Sequence, residues 1–141
     1  MRLIALLTLL ASPAAAWEFS ATSLCILEHS EPRTNMRLTY DPIDEIYSIT
    51  VTRETPWPDG DVFGMRFEGQ RPVFIQTDRH LKSPDGRSVT VVDEGFGNVL
   101  NGLQYNIVAL AFVGGETSGV SLAGAAPEVA AFRACTEAGI A

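Results

Sequence analysis

Two cysteines, Cys25 and Cys135, stand 110 residues apart near opposite ends of the chain. Nothing else in the sequence constrains the fold as much. If they join, both ends of the domain are pinned together and everything between them must fit as one closed loop. Chain-entropy arithmetic gives a bridge over so long a loop up to ~4–5 kcal/mol, comparable to the whole stability of a small domain. Whether they join depends on the compartment. Met1 to Ala16 has the form of an export signal: Arg2 is a positive start, Leu3 to Leu10 an apolar stretch, Ser12-Pro13 a break, and Ala14-Ala15-Ala16 an A-x-A cleavage site. Eight residues at ~1.5 Å rise span ~12 Å, against the ~30 Å of a bilayer core, so this segment is not a transmembrane anchor. An exported chain meets an oxidising compartment, where a lone cysteine pair usually joins. The expected bridge ties the first strand to the last helix. Metal binding by the two thiols would need two further ligands, and His29 and His80 are the only histidines. A C-x-x-C redox pair is absent.

Cleavage after Ala16 leaves 125 of 141 residues (141 − 16) as one domain, 17–141, with no linker, repeat or low-complexity tract inside it. With 46% apolar and 19% charged residues the chain is expected to fold rather than stay disordered. Losing Arg2 leaves nine basic residues (10 − 1) against seventeen acidic, a balance of −8. So acidic a surface repels phosphate backbones, and no nucleic-acid partner is expected.

The segments read mainly as strands. Trp17 to Glu28 makes one or two strands reaching Cys25. Arg33 to Tyr40 alternates, with Met36, Leu38 and Tyr40 on one face and Arg37 and Thr39 on the other. Ile46 to Arg53 is rich in β-branched residues. Pro56 to Asp61 is a loop, because two prolines and a glycine deny it either ladder. Val62 to Phe67 and Pro72 to Thr77 form a hairpin around Gly69. Pro84 to Arg87 is a tight turn, and Ser88 to Val92 follows as a strand. Asn98 to Leu103 carries helical spacing weakened by Gly102. Ile107 to Val113 has the run of a fully buried central strand, and Gly119 to Leu122 pairs back on it. A helix opens at Ala126-Pro127-Glu128, with Val129, Phe132 and Cys135 in one apolar stripe and Gly139 as its stop. The fold class is therefore mainly β (α+β): an antiparallel sandwich or strongly curved sheet, with one short helix and a closing C-terminal helix.

Catalytic signatures are sparse. Gly119-Val120-Ser121-Leu122-Ala123 half matches a nucleophile elbow, and Ser121 reads better as an outward strand residue. Gly95-Phe96-Gly97 with Gly102 has the wrong spacing for a dinucleotide loop. Asp78-Arg79-His80 is the one cluster able to hold a general base, joined by Glu28, His29 and Glu31 if the fold brings them together. Its bland reading is a strand end where Asp78 caps the turn and Arg79 pairs with it. Asp59-Gly60-Asp61, with Asp41, Asp44 and Glu45, could collect a hard cation, but ordinary turn aspartates explain them as well and no metal is expected. Trp57 between two prolines either packs over its own core or, with Asp59 and Asp61, is offered to a partner. Trp17 is expected to cap the core near the first strand.

The Cys25-Ile26-Leu27 strand, the short helix before Ile107 to Val113, and the Val120 to Ala125 segment entering a helix with Val129 and Phe132 together resemble the invasion-associated locus B family of small exported proteobacterial proteins. The resemblance covers mainly residues 25–27 and 96–135. It implies a β-rich bacterial protein, periplasmic or otherwise secreted and associated with the envelope, with no established catalysis and in some relatives a link to host-cell invasion. No catalytic residues carry over.

The expectation is thus a non-enzymatic exported protein acting as a binding or interaction module. It would serve an unidentified protein or small-molecule partner in the envelope, without a cofactor. The alternatives are a small periplasmic hydrolase using Asp78 and His80, or an inhibitor-like protein presenting the loop from Pro56 to Asp61.

Overall fold

A computed structural model describes residues 16–138. The export-signal reading, apart from Ala16, and the helix stop at Gly139 fall outside the described residues. The strands follow in chain order: β1 (Glu18–Ala21), β2 (Cys25–Ser30), β3 (Thr34–Asp41), β4 (Ile46–Arg53), β5 (Phe63–Gly69), β6 (Val73–Thr77), β7 (Leu81–Lys82) and β8 (Ser88–Asp93). A short helix, α1 (Gly97–Gln104), then leads into β9 (Asn106–Val113) and β10 (Glu116–Ser121), and α2 (Ala125–Ala138) closes the domain. Every paired strand is antiparallel to its neighbour. One sheet has the order β1-β2-β3-β4-β8-β7 and the other β10-β9-β5-β6.

Alternation decides which face of each strand turns inward. In β3, Thr34, Met36 and Leu38 are buried while Arg37 is exposed, and in β4 Ile49, Val51 and Arg53 are buried. Strands β5 and β9 answer from the second sheet with Phe63, Met65 and Phe67 against Ala109, Ala111 and Val113. Asp41 shapes the β3–β4 turn by accepting the Ile43 N–H at 2.9 Å, and Glu45 completes it at φ +55°. The two-residue β7 has no sequence signature, because Leu81-Lys82 is too short to show any period.

One expectation needs correction. β9 is an internal strand, between β10 and β5, but it is not buried on both faces. Only Ala109, Ala111 and Val113 (with Asn106) are buried, and Ile107 is 68% exposed. Among the described residues no helix covers the outer face of this sheet; α1 packs against β5, β6 and β9 and against α2, which itself lies on β1 and β2 of the other sheet, so the continuous apolar run leaves Phe112 and its neighbours partly in solvent.

Helix α1 buries Val99, Leu100, Gly102 and Leu103. Gly102 is no accident of a weak helix: a Cβ there would lie 2.3 Å from the Phe67 ring. Helix α2 places Val129 and Phe132 in the core and sets Cys135 against β2. The Cys25–Cys135 disulfide is formed, with Cα atoms 6.1 Å apart. Glu128 in the first turn of α2 also accepts the Phe19 N–H of β1 at 2.9 Å, a second tie between helix and first hairpin.

Candidate functional site

The two long sides of the sandwich differ. On one side, polar contacts stitch the sheets together around β10. Trp17 Nε1 donates to the Ser121 carbonyl at 2.9 Å, the Ser121 N–H donates to Glu31 at 2.7 Å, and the Thr34 and Ser118 hydroxyls meet at 2.5 Å. Arg53, at the end of β4, pairs with Glu116 at the start of β10. On the other side, no hydrogen bond or ion pair joins β6 to β8 among the described residues.

That unstitched side holds a cavity of about 220 Å³. Ile49, Phe63 and Met65 line its depth, and Ile75, Val91, Phe96 and Val99 its walls. The row of inward positions on β8 runs Val89, Val91, Asp93, and on β6 it runs Val73, Ile75, Thr77, after which the chain bends at Asp78 and brings in Arg79. Asp93 and Arg79, both exposed, line the mouth of the cavity. They make no ion pair with each other. The Asp93 carboxylate accepts only the Glu94 N–H, at 2.7 Å, and the Arg79 guanidinium has no hydrogen bond, ion pair or aromatic partner among the described residues.

The residues singled out from sequence lie elsewhere or do other work. Strands β2 and β7 are four positions apart in one sheet, ~19 Å at ~4.8 Å per step, so the His80 cluster and the Glu28, His29 and Glu31 cluster do not converge. His29 is 4% exposed and stacks on Trp17 with centroids 4.9 Å apart; its Nε2 meets Glu31 at 2.9 Å. Glu28 accepts from Asn35 at 3.1 Å. Asp78 is exposed and has no hydrogen bond to His80, whose Nε2 instead donates to the Gly60 carbonyl at 3.1 Å. The turn is capped by Thr77, which accepts the Arg79 N–H at 3.1 Å, not by Asp78, and Arg79 does not pair with Asp78. Ser121 is a β10 residue whose hydroxyl accepts the Ala123 N–H at 3.1 Å.

Trp57 is not offered to a partner. Its ring is 2% exposed, donates to the Val51 carbonyl at 3.3 Å, and lies under the Arg53 guanidinium at 4.4 Å. Arg53 holds the loop as well, donating to the carbonyls of Thr55 and Pro56 at 2.9 and 2.7 Å. Asp59 is bound by Lys82, and that hydrogen bond, with the ammonium charge behind it, holds the Asp59 carboxyl below its ordinary range. Asp61 is exposed. Among the described residues no three His, Cys, Asp or Glu side chains gather as a metal site would require.

A separate apolar surface lies on the outer face of the four-stranded sheet. Phe74, 51% exposed, stacks on Phe112 at 5.6 Å, and Phe112 lies over Gly64, where any Cβ would strike its ring. Arg66 sits over Phe74 at 5.7 Å.

The molecule is thus a disulfide-closed antiparallel sandwich with an apolar pocket between its sheets on one side. Comparison with known families finds no family model that matches the chain, and comparisons with curated proteins and with solved structures find no match either.

Proposed function

We propose that this chain is an exported, non-enzymatic binding module of the periplasm or envelope, of the kind the resemblance to the invasion-associated locus B family implies, and that it holds a small, mainly apolar molecule between its sheets. The observation that carries this reading is the cavity at the unstitched edge, apolar in its depth and charged only at its mouth. Pockets that bind small molecules have this composition: an apolar lining with a few placed polar groups that orient the ligand. A hydrolase would need a nucleophile or water beside a base and an orienting group. Asp78 and His80 supply no such set, since His80 is engaged with the Gly60 carbonyl and Asp78 faces solvent. An inhibitor loop would need an exposed anchor, and Trp57 is buried.

Two measurements test the reading. Methyl NMR of the disulfide-bonded protein is recorded against small molecules bearing a benzyl or isobutyl group. Saturable shifts are expected at the methyls of Ile75, Val91 and Val99, and Val91→Trp, which fills the cavity, should abolish them. If those methyls stay still with every compound, the binding reading fails. Cell fractionation tests the location: a periplasmic product beginning near Trp17 is expected, and a full-length cytosolic product would refute export.

A further inference from the structure

We propose that the ligand is a free α-amino acid with a large apolar side chain, its carboxylate bound by Arg79, its ammonium by Asp93, and its side chain in the cavity between β6 and β8. This rests on the binding reading above and gives it a substrate class.

Three features of the cavity carry it. The first is the pair of charges. Asp93 ends β8 and Arg79 lies two residues past the end of β6, and both are exposed while lining the same cavity. Among the described residues these two do not pair with each other, and neither is used by another side chain. A ligand that carries both complementary charges satisfies both at once. Arg suits the carboxylate because its planar fork can donate two parallel hydrogen bonds.

The second is size. A cavity of about 150 Å³ accepts benzene, and this one is about 220 Å³, enough for a benzyl or isobutyl group with its α-carbon. It is too small for a dipeptide of two large residues or a long acyl chain.

The third is the sign of the whole molecule. Seventeen acidic residues against ten basic give −7, a field that repels monoanions. A fatty acid would meet that field and also leave Asp93 unmatched beside its own carboxylate. A zwitterion carries no net charge and meets neither penalty.

The test is a four-compound series on the disulfide-bonded protein, read by titration calorimetry and by the methyl shifts. L-phenylalanine has both charges, 3-phenylpropanoate lacks the ammonium, phenethylamine lacks the carboxylate, and ethylbenzene lacks both. The corresponding leucine series covers the case in which a flat ring does not fit. The amino acid is expected to bind at least fivefold more tightly than either singly charged analogue. Asp93→Asn should erase its advantage over the carboxylate analogue, and Arg79→Gln its advantage over the amine. Both side chains are exposed at the mouth, so the variants should keep the parent melting temperature. If the hydrocarbon binds as well as the amino acid, the pocket binds ligands but the charges serve only to keep strand edges from pairing with other chains, and the amino-acid assignment is overturned while the binding reading stands. If no compound of either series binds at millimolar concentration, both fall.

Discussion

Reducing the disulfide should cost this domain about a third or more of a typical small domain's stability, and the structure allows the loss to be worked out. The bridge closes a loop of 110 residues. Chain-entropy arithmetic over that loop gives ~4.8 kcal/mol at 25 °C. A mature chain of 125 residues (141 − 16) has an unfolding entropy of ~0.26 kcal/mol per degree at ~2.1 cal/mol/K per residue. The quotient is a fall in melting temperature of roughly 18 °C. The assay is calorimetry on the oxidised protein, the reduced protein, and a Cys25→Ala, Cys135→Ala double variant. A parallel urea titration separates causes. If the bridge acts on the denatured chain, removing it lets that chain expand, and the slope m should rise. If it acts by holding α2 onto β2 in the native state, the melting temperature falls with m unchanged. A fall of less than ~5 °C with an unchanged m would refute the entropic reasoning.

Trp57→Ala should cost ~3–5 kcal/mol in urea unfolding, because the ring is buried and its loss opens a large void, while ligand titrations stay unaltered. Gly102→Ala should destabilise by ~1–2 kcal/mol, the reverse of the ~1 kcal/mol gain expected for this exchange in an ordinary helix; chemical denaturation reads the sign, and a gain would show that Phe67 can move. The Asp59 carboxyl is held down by Lys82, so the pair's stabilising effect is present above the ordinary carboxylate range and is lost as pH falls through the lowered value. Asp59→Asn should therefore flatten part of the acid limb of a melting-temperature profile by lowering the neutral side slightly while leaving the acid end unchanged, and an acid limb as steep as the parent's would count against the pair. His80→Ala and Asp78→Ala should leave ligand binding intact, and a tenfold loss at unchanged melting temperature would revive the catalytic reading of that cluster.

Much of the architecture was legible because alternation is a local signal. Met36 and Leu38 against Arg37, or the β-branched run from Ile46 to Arg53, fix strand and face without knowledge of the partner. The pairing of Cys25 with Cys135 followed from there being only two cysteines and from the apolar stripe that turns Cys135 inward. The exposed outer face was not legible, because a run such as Ile107 to Val113 reads the same whether or not something covers its second side. The pocket was hidden for a different reason. Asp93 ends β8 and Arg79 stands two residues past Thr77, the end of β6, so each reads as an ordinary strand-end residue. Only the meeting of two sheets puts them at one mouth, and that long-range fact has no local trace in the sequence.

The bridge also determines how the domain answers a pulling force. Tension applied at the two chain ends passes through Cys25 and Cys135 and leaves the strands between them, β3 to β10, outside the loaded path. Only β1 and the short tail beyond Cys135 can peel away, so the pocket keeps its shape while its tethers stretch. Once the covalent link is cut, the same pull shears the sheets and releases the whole loop, a contour gain of roughly 37 nm at ~3.4 Å per residue. A domain wired in this way is a stiff bead on a string in an oxidising medium and a spool of thread in a reducing one.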